Sequence, residues 1–282
     1  MIVQQNTSEW LELRKGKIGA SDACVIMGVS PWSTPYALWE EKVGIRENRV
    51  PTNSMRRGNA LENQARECFT KMTGIVVRDI VKFHPKNDWM MASLDGIDMD
   101  GKEVVEIKCP GEEDHDMALH GYIPPKYYPQ LQHQMEVAGI DKMHYFSYDG
   151  QEGALVSVPR NEKYIEDMIR KEKAFYQCMM TLEPPTLSDK DYVEKHDEEW
   201  FEVASSWVSC QENLNNWKEK EERLRNQLIS MTEDKNCFGA GVKISRCVRK
   251  GTVDYNRIPE LKDIDVNQYR KPDSQFWRIS KS

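Results

Sequence analysis

Between residues 75 and 158 the chain breaks into short apolar-rich runs bounded by glycine, proline and aspartate, and these read as strands. Runs 75–84, 89–98 and 103–108 come first, and 143–148 and 154–158 follow, with Asp149-Gly150 turning between the last two. Elsewhere the period is helical. Residues 8–73 read as helices broken by Gly16, Gly28 and Gly44, with Ser8 and Ser21 as N-caps and Pro31 and Pro35 in a connecting loop. In the last of them Leu61, Ala65, Cys68, Phe69 and Met72 recur at helical spacing up to a stop at Gly74, and Glu62 sits beside that stripe. A further helix runs from Tyr127 to Gly139, with Leu131, Met135 and Ala138 inward and Gln130, Gln132 and Gln134 on its flanks, where glutamines are ordinarily surface. A helix over 161–180 closes the core before Pro184-Pro185. Helix, three strands, helix and strands in this order predict an α/β fold with a mixed central sheet.

Beyond residue 197 the pattern changes. Trp200, Val203, Ala204, Trp207, Cys210 and Leu214, then Trp217, Leu224 and Leu228, recur every three or four residues among Glu, Lys and Arg. That describes one long amphipathic helix or a hairpin of two, serving packing or oligomerisation. Residues 239–255 alternate like a small hairpin, followed by Ile258-Pro-Glu-Leu and Tyr269-Arg-Lys-Pro. The expected division is a core over 1–185, a helical extension over 186–235 and a small β-containing tail over 236–282.

A length of 282 residues supports one large domain or a domain with an appendage. No run approaches the ~20 apolar residues that cross a membrane, and the N-terminus has no apolar signal segment, so a cytosolic protein is expected. The seven cysteines form no C-x-x-C pair, which argues against a disulfide framework or zinc ribbon and for reduced, mostly buried thiols. A net charge of −7 excludes a generic basic coat for DNA, but not DNA binding through bound cations and local charge. Arg14, Lys15 and Lys17 with Arg56 and Arg57 supply either a local positive rim or plain surface charge.

The candidate chemistry lies in 91–110. The run 103–108 is a strand whose period of two puts Glu106 and Lys108 on one face and Ile107 on the other. Asp95 enters the same region from the preceding strand, across a two-residue turn expected at Asp100-Gly101. Glu40/Lys42, Glu233/Lys235 and Glu260/Lys262 share the Glu-x-Lys spacing, but in helical or turn-like polar stretches that read as solvated surface. Taken alone, such a hairpin is more often an ordinary surface ribbon than a metal site.

Several motifs together carry more. Trp10-x-x-x-Arg14 with Ile18-Gly-Ala-Ser-Asp22, then Gly58-x-x-x-Glu62, Ser93-x-Asp95-Gly96, Glu106-Ile-Lys108-Cys-Pro110 and Gln130-x-Gln132-x-x-Met135 occur in that order. Over its first two-thirds the chain resembles the YqaJ and phage lambda exonuclease-like recombination nucleases of the PD-(D/E)xK superfamily. The resemblance implies a restriction-endonuclease-like core and 5′-to-3′ degradation of one strand of linear double-stranded DNA, leaving 3′ tails for a single-strand annealing protein. It implies metal ligation by Asp95, Glu106, the Ile107 carbonyl and Glu62, water activation by Lys108, and support from Gln132, with Gln130 less certain. Arg14 and Ser21 resemble the pocket for a 5′-terminal phosphate, although a helix-end surface arginine is the plainer reading of Arg14 alone. Oxygen ligands suit Mg2+, with Mn2+ as a substitute and Ca2+ as an inhibitor. A homo-oligomeric ring, a trimer first, in a phage-infected or lysogenic bacterial cytosol completes the expectation. An internally cutting enzyme of the same fold and a non-catalytic DNA-binding module are the alternatives.

Overall fold

The computed structural model describes residues 5, 7–46, 52–252, 254, 257, 258 and 271. The chain divides into two compact units, Met1–Val193 and Glu194–Ser282.

The first unit opens with α1 (Ser8–Lys15), β1 (Ile18–Gly19), α2 (Ala20–Ile26), α3 (Pro35–Lys42) and α4 (Asn53–Thr73). Strands β2 (Arg78–Phe83), β3 (Met90–Ile97) and β4 (Val104–Lys108) follow, then α5 (Glu112–Leu119), α6 (Tyr128–Ala138), β5 (Lys142–Tyr148), β6 (Gly153–Pro159) and α7 (Glu162–Thr181). The predicted strands all form, the first three with trimmed ends and the last two slightly longer than expected. β1 and α5 went unpredicted, since two residues of strand and eight of weakly amphipathic helix leave little periodicity.

Caps and turns differ in detail. Thr7, not Ser8, caps α1 by accepting from the Trp10 N–H, and Gly19, not Ser21, precedes α2 with its N–H on the Asp22 carboxylate. The β3–β4 loop is longer than the expected two-residue turn. Asp98 Oδ1 accepts from the N–H groups of Lys102 and Glu103, and Gly101 takes the left-handed φ of 73° that its turn position requires. Lys42 is no solvated surface charge: its ammonium reaches the Arg14 and Lys17 carbonyls at 2.7 and 2.8 Å and the Asp22 carboxylate at 2.6 Å.

The six strands form one mixed sheet, ordered β1-β3-β4-β5-β6, with β2 antiparallel on the other edge of β3. β1–β3 and β4–β5 are parallel and the remaining pairs antiparallel. The larger core gathers Leu131 and Met135 of α6, Leu94 and Val104 of the sheet and Phe175 of α7, all buried. On the opposite face Ala65 and Phe69 of α4 pack on Val105, Ile107 and Phe146. Of the stripe expected on α4, Met72 stays 53% exposed.

The second unit holds α8 (Glu198–Ser230), one continuous helix rather than a hairpin of two, and the antiparallel pair β7 (Cys237–Gly239) and β8 (Val242–Ile244). Except for Ile258 and Lys271, the segments Ile258-Pro-Glu-Leu and Tyr269-Arg-Lys-Pro lie outside the described residues, as does the pair Glu260/Lys262. No described helix is long and apolar enough to cross a membrane. All seven cysteines are free, but only Cys24 is buried, so the expectation of mostly buried thiols does not hold.

Candidate active site

The site forms where β3 loses regular partners. From Ile80↔Leu94 to Arg78↔Ile97 the β2 partner advances two residues and β3 advances three, so Asp95 and Gly96 form a bulge opposite Asp79. A bulge re-aims side chains next to the ladder it interrupts. On the other edge, β1 pairs only at Met90 and Met91, and β4 only at Gly96 and Ile97. Between them β3 has no strand on that side. On its β3 side the β4 backbone beyond Val105 therefore lacks a ladder partner, and Asp95 Oδ2 takes its place, accepting from the Ile107 N–H at 2.9 Å. N–H and C=O of one strand residue point to the same edge, so the Ile107 carbonyl lies on the Asp95 side as well. Gly96 makes this approach possible, since a Cβ there would lie 2.6 Å from Val105 Cγ1 and 2.7 Å from Val77 Cγ2.

Alternation along β4 sends Val105 and Ile107 into the α4 layer and Glu106 and Lys108 to the other face, as the period of two requires. Glu106 is 1% exposed. Its Oε1 accepts from Lys108 Nζ and Gln130 Nε2, and its Oε2 from Gln134 Nε2. Lys108 Nζ lies 5.5 Å from the Tyr127 ring centroid, a cation–π contact.

Helix α6 spans the gap in β3. Gln134 Nε2 also donates to the Ser93 carbonyl at 3.3 Å, and His133 Nε2 meets the Met91 carbonyl at 3.0 Å. Buried backbone acceptors need such donors where no strand supplies them. The glutamines are thus interior, not surface. Gln132, expected to steady the lysine or the phosphate, faces away: its amide donates to the Pro159 carbonyl at 3.0 Å and accepts from the Asn161 N–H at 2.9 Å. Gln134 stands on Glu106 instead. Residues i and i+4 share a helix face, so Gln130 and Gln134 go together and Gln132 is the odd one. That spacing was readable.

The expected metal ligands are only partly assembled. Asp95, Glu106 and the Ile107 backbone converge, whereas the Glu62 carboxylate on α4 pairs with Arg66 at 2.7 Å. Among the described residues, no three His, Cys, Asp or Glu side chains group as a metal cage. Burial first, and the Glu106 carboxylate second, push the Asp95 carboxyl well above the usual carboxylate range, against the pull of Lys108. Lys108 is held above the ordinary lysine value: burial opposes its charge, but Glu106 and Asp95 outweigh that. Two crowded carboxylates and a strand carbonyl are hard oxygen donors that fit a divalent cation, which would relieve their repulsion.

Arg14 and Ser21 are brought together. The guanidinium donates to Ser21 Oγ at 3.0 Å, lies 3.6 Å from Asp22 and sits over the Trp10 ring at 4.8 Å. Trp10 in turn donates its indole N–H to Ser93 Oγ at 2.9 Å, which ties this corner to β3 two residues from Asp95. Asp22 anchors the arrangement. Burial alone would raise its carboxyl, but Lys42 and then Arg14 hold it below the usual value. Of the other rim candidates, Lys15 pairs with Glu12 at 2.7 Å, Lys17 reaches the Asp88 carbonyl, and Arg57 holds the Pro110 and Asp149 carbonyls. Arg56 lies exposed on α4.

Comparison with known proteins agrees with this architecture. Two crystal structures of the alkaline exonuclease LHK-Exo from Laribacter hongkongensis, one of them with dAMP, superpose with TM-scores of 0.56 and 0.55 at 26% identity, covering 62% of this chain and 94% of that one. The first unit has the PD-(D/E)xK nuclease fold, with its mixed sheet between helices. Residues 9–141 match the model of the YqaJ-like viral recombinase domain. It is also similar to the uncharacterized protein YqaJ of Bacillus subtilis (strain 168), 27% identical over 183 residues that make up 61% of this chain. The match spans 56% of that relative's length.

Proposed function

We propose that this protein is a Mg2+-dependent exonuclease that degrades one strand of linear double-stranded DNA from its 5′ end, leaving 3′ single-stranded tails for an annealing protein. The observation that carries the reading is the meeting of Asp95, Glu106 and Lys108 where β3 and β4 part. Asp95, Glu106 and the Ile107 carbonyl would hold the ion, and Glu62 would join its water shell after leaving Arg66. A divalent cation held by these residues would supply positive charge for the transition state of phosphodiester hydrolysis and make the attacking water easier to deprotonate. Gln130 and Gln134 hold the Glu106 carboxylate in place, and the Lys108 ammonium orients the attacking water or a phosphate oxygen. Mn2+ should substitute for Mg2+. Ca2+ should bind without supporting cleavage, because its looser coordination misaligns an in-line attack.

Polarity follows from Arg14 and Ser21. A guanidinium has five donors, so Arg14 can keep Ser21 and Asp22 and still present N–H groups to a terminal phosphate. An enzyme that grips the 5′ end degrades from that end. A closed ring of three copies around the duplex would suit long runs, and the host bacterial cytosol is where such a phage-type enzyme would work.

The test is digestion by the purified full chain with Mg2+ of linear duplexes carrying 5′-phosphate or 5′-hydroxyl ends, beside a closed circle. Phosphorylated linear DNA should disappear strand by strand from its 5′ ends while the circle survives. Cutting of the circle, or loss from the 3′ ends, would overturn the reading. Arg14→Ala should lower the preference for 5′-phosphate by roughly one to two orders of magnitude, the worth of a charge-assisted contact. An unchanged preference would leave Arg14 as surface charge.

A further inference from the structure

The second unit carries a surface that the nuclease reading does not use. Along α8, apolar side chains fall at Trp200, Val203, Trp207, Cys210, Leu214 and Trp217, in alternating steps of three and four. The alternation continues through Leu224, Leu228 and Met231, with Glu221 the one charged member. Ten consecutive a and d positions make a heptad seam, about 50 Å long at 1.5 Å per residue. A strict 3.5-residue repeat is the mark of a helix that supercoils with another helix, not of one lying on a sheet. Yet no residue of α8 is buried. Trp200 is 55% exposed, Trp217 64% and Leu224 50%.

Charge along the unit is polarised. At the N-terminal end residues 194–202 carry Glu194, Asp197, Glu198, Glu199 and Glu202 against Lys195, beside Trp200 and the 73%-exposed Phe201. At the other end the seam and β8 line a cleft of about 990 Å³ with an apolar floor that includes Leu224, Leu228, Val242 and Ile244. Its rim bears Lys220, Arg225, Lys235, Lys243 and Arg246 against Glu221 and Asp234, an excess of three positive charges in a chain of net −7. One end is an acidic aromatic plug. The other is a basic apolar socket.

We infer that α8 pairs antiparallel with α8 of a second copy of this chain, seating the Trp200–Phe201 end of each copy over the basic cleft of the other. Such a contact is isologous and closes on itself as a twofold pair. Stacking a on d positions over the full seam puts Trp200 opposite Met231, Val203 opposite Leu228 and Glu221 opposite Cys210. A parallel pair in register is disfavoured by the same sequence, since it buries Glu221 against Glu221 and faces Lys220 with Arg225. In the antiparallel pair Lys218 and Lys220 meet the neutral Gln211 and Asn213, and the helix dipoles oppose.

Sedimentation equilibrium of the full chain tests this. Glu198→Lys with Glu199→Lys, and separately Lys243→Glu with Arg246→Glu, should each weaken self-association by about tenfold or more, since like charges then meet twice per pair. An equimolar mixture of the two variants should recover association to within roughly threefold of the natural chain, because opposite ends are again complementary. The readout is the fall in mass on reversal and its recovery on mixing, so any assembly through the nuclease unit does not confound it. A mass indifferent to both reversals, or no recovery in the mixture, would overturn the pairing. Mild oxidation supplies a second check: a Cys210–Cys210 linked dimer would establish the parallel arrangement and overturn the antiparallel one, whereas its absence alongside recovery supports it.

Discussion

Helices α6 and α8 invert the ordinary relation between polarity and burial. In α6, eleven residues long, Gln130, Gln132, His133 and Gln134 are all buried. In α8, three times that length, three tryptophans and three leucines leave no residue buried. Hydrophobic periodicity marks the face a helix can bury, but the surroundings decide whether a partner is there. Helix α6 lies against a strand edge whose carbonyls need donors, so amides and an imidazole stabilise it better than leucines would. Helix α8 carries a regular apolar seam whose partner, on the inference above, is a second chain.

The largest change should come from the acceptor that α6 surrounds. Glu106→Ala and Asp95→Ala should each lower Mg2+-dependent DNA degradation by about a thousandfold or more while the fold persists, because each would remove a ligand of the proposed metal. Lys108→Ala should be comparably inactive but should still bind Mn2+, which calorimetry can read. Near-natural rates in folded protein for any of the three would move the active site elsewhere.

Next comes the buried His133–Glu172 pair that joins α6 to α7. His133 Nδ1 lies 2.8 Å from Glu172 Oε1 with both side chains fully buried, and Nε2 meets the Met91 carbonyl. Burial alone would lower the imidazole, but Glu172 and then that carbonyl raise it above its ordinary value. A raised folded-state value means stability that is full below the unfolded pKa of ~6.5 and is lost as pH rises through the folded one. Glu172→Ala should cost about 3–5 kcal/mol in denaturant unfolding, the consequence of leaving a buried charge unpaired. It should also flatten the alkaline fall in melting temperature; an unaltered alkaline slope would remove His133 as its source.

A smaller effect separates the glutamines. Gln134→Ala and Gln132→Ala should each cost about 1–3 kcal/mol of stability, since each strands buried polar groups. Only Gln134→Ala should also depress cleavage at temperatures where the protein stays folded, because of these two only Gln134 holds Glu106. Equal losses of activity would erase the distinction that the geometry draws. Smallest of all, Leu214→Ser on α8 should change the stability of the dilute chain by no more than about 0.5 kcal/mol, as exposed substitutions do, yet weaken self-association. A large loss in the dilute chain would mean the seam is already covered within one copy.

Much of the site was legible without coordinates. Glu106 and Lys108 share a face because a strand has a period of two, and Asp95 reaches them because the two strands are adjacent in sequence. The Arg14 and Ser21 neighbourhood was implied by the family resemblance rather than by local chemistry, which reads Arg14 as a surface arginine at a helix end. Missed were contacts made across the fold. Lys42 resembles any charged helix residue until Asp22 and two carbonyls surround it, and Gln134 has no more local signal than Gln132 beyond its place one turn from Gln130.

Periodicity, the order of elements and the short-range carboxylate–lysine pattern were therefore determined by the sequence itself, since φ/ψ preferences and side-chain direction act within a few residues. Tertiary structure alone decided two things: the bulge at Asp95 and the strandless stretch of β3 that α6 must satisfy. Each depends on which backbone groups lose their partners when distant strands meet out of step. A hydrogen-bond deficit of that kind exists only once the sheet is assembled.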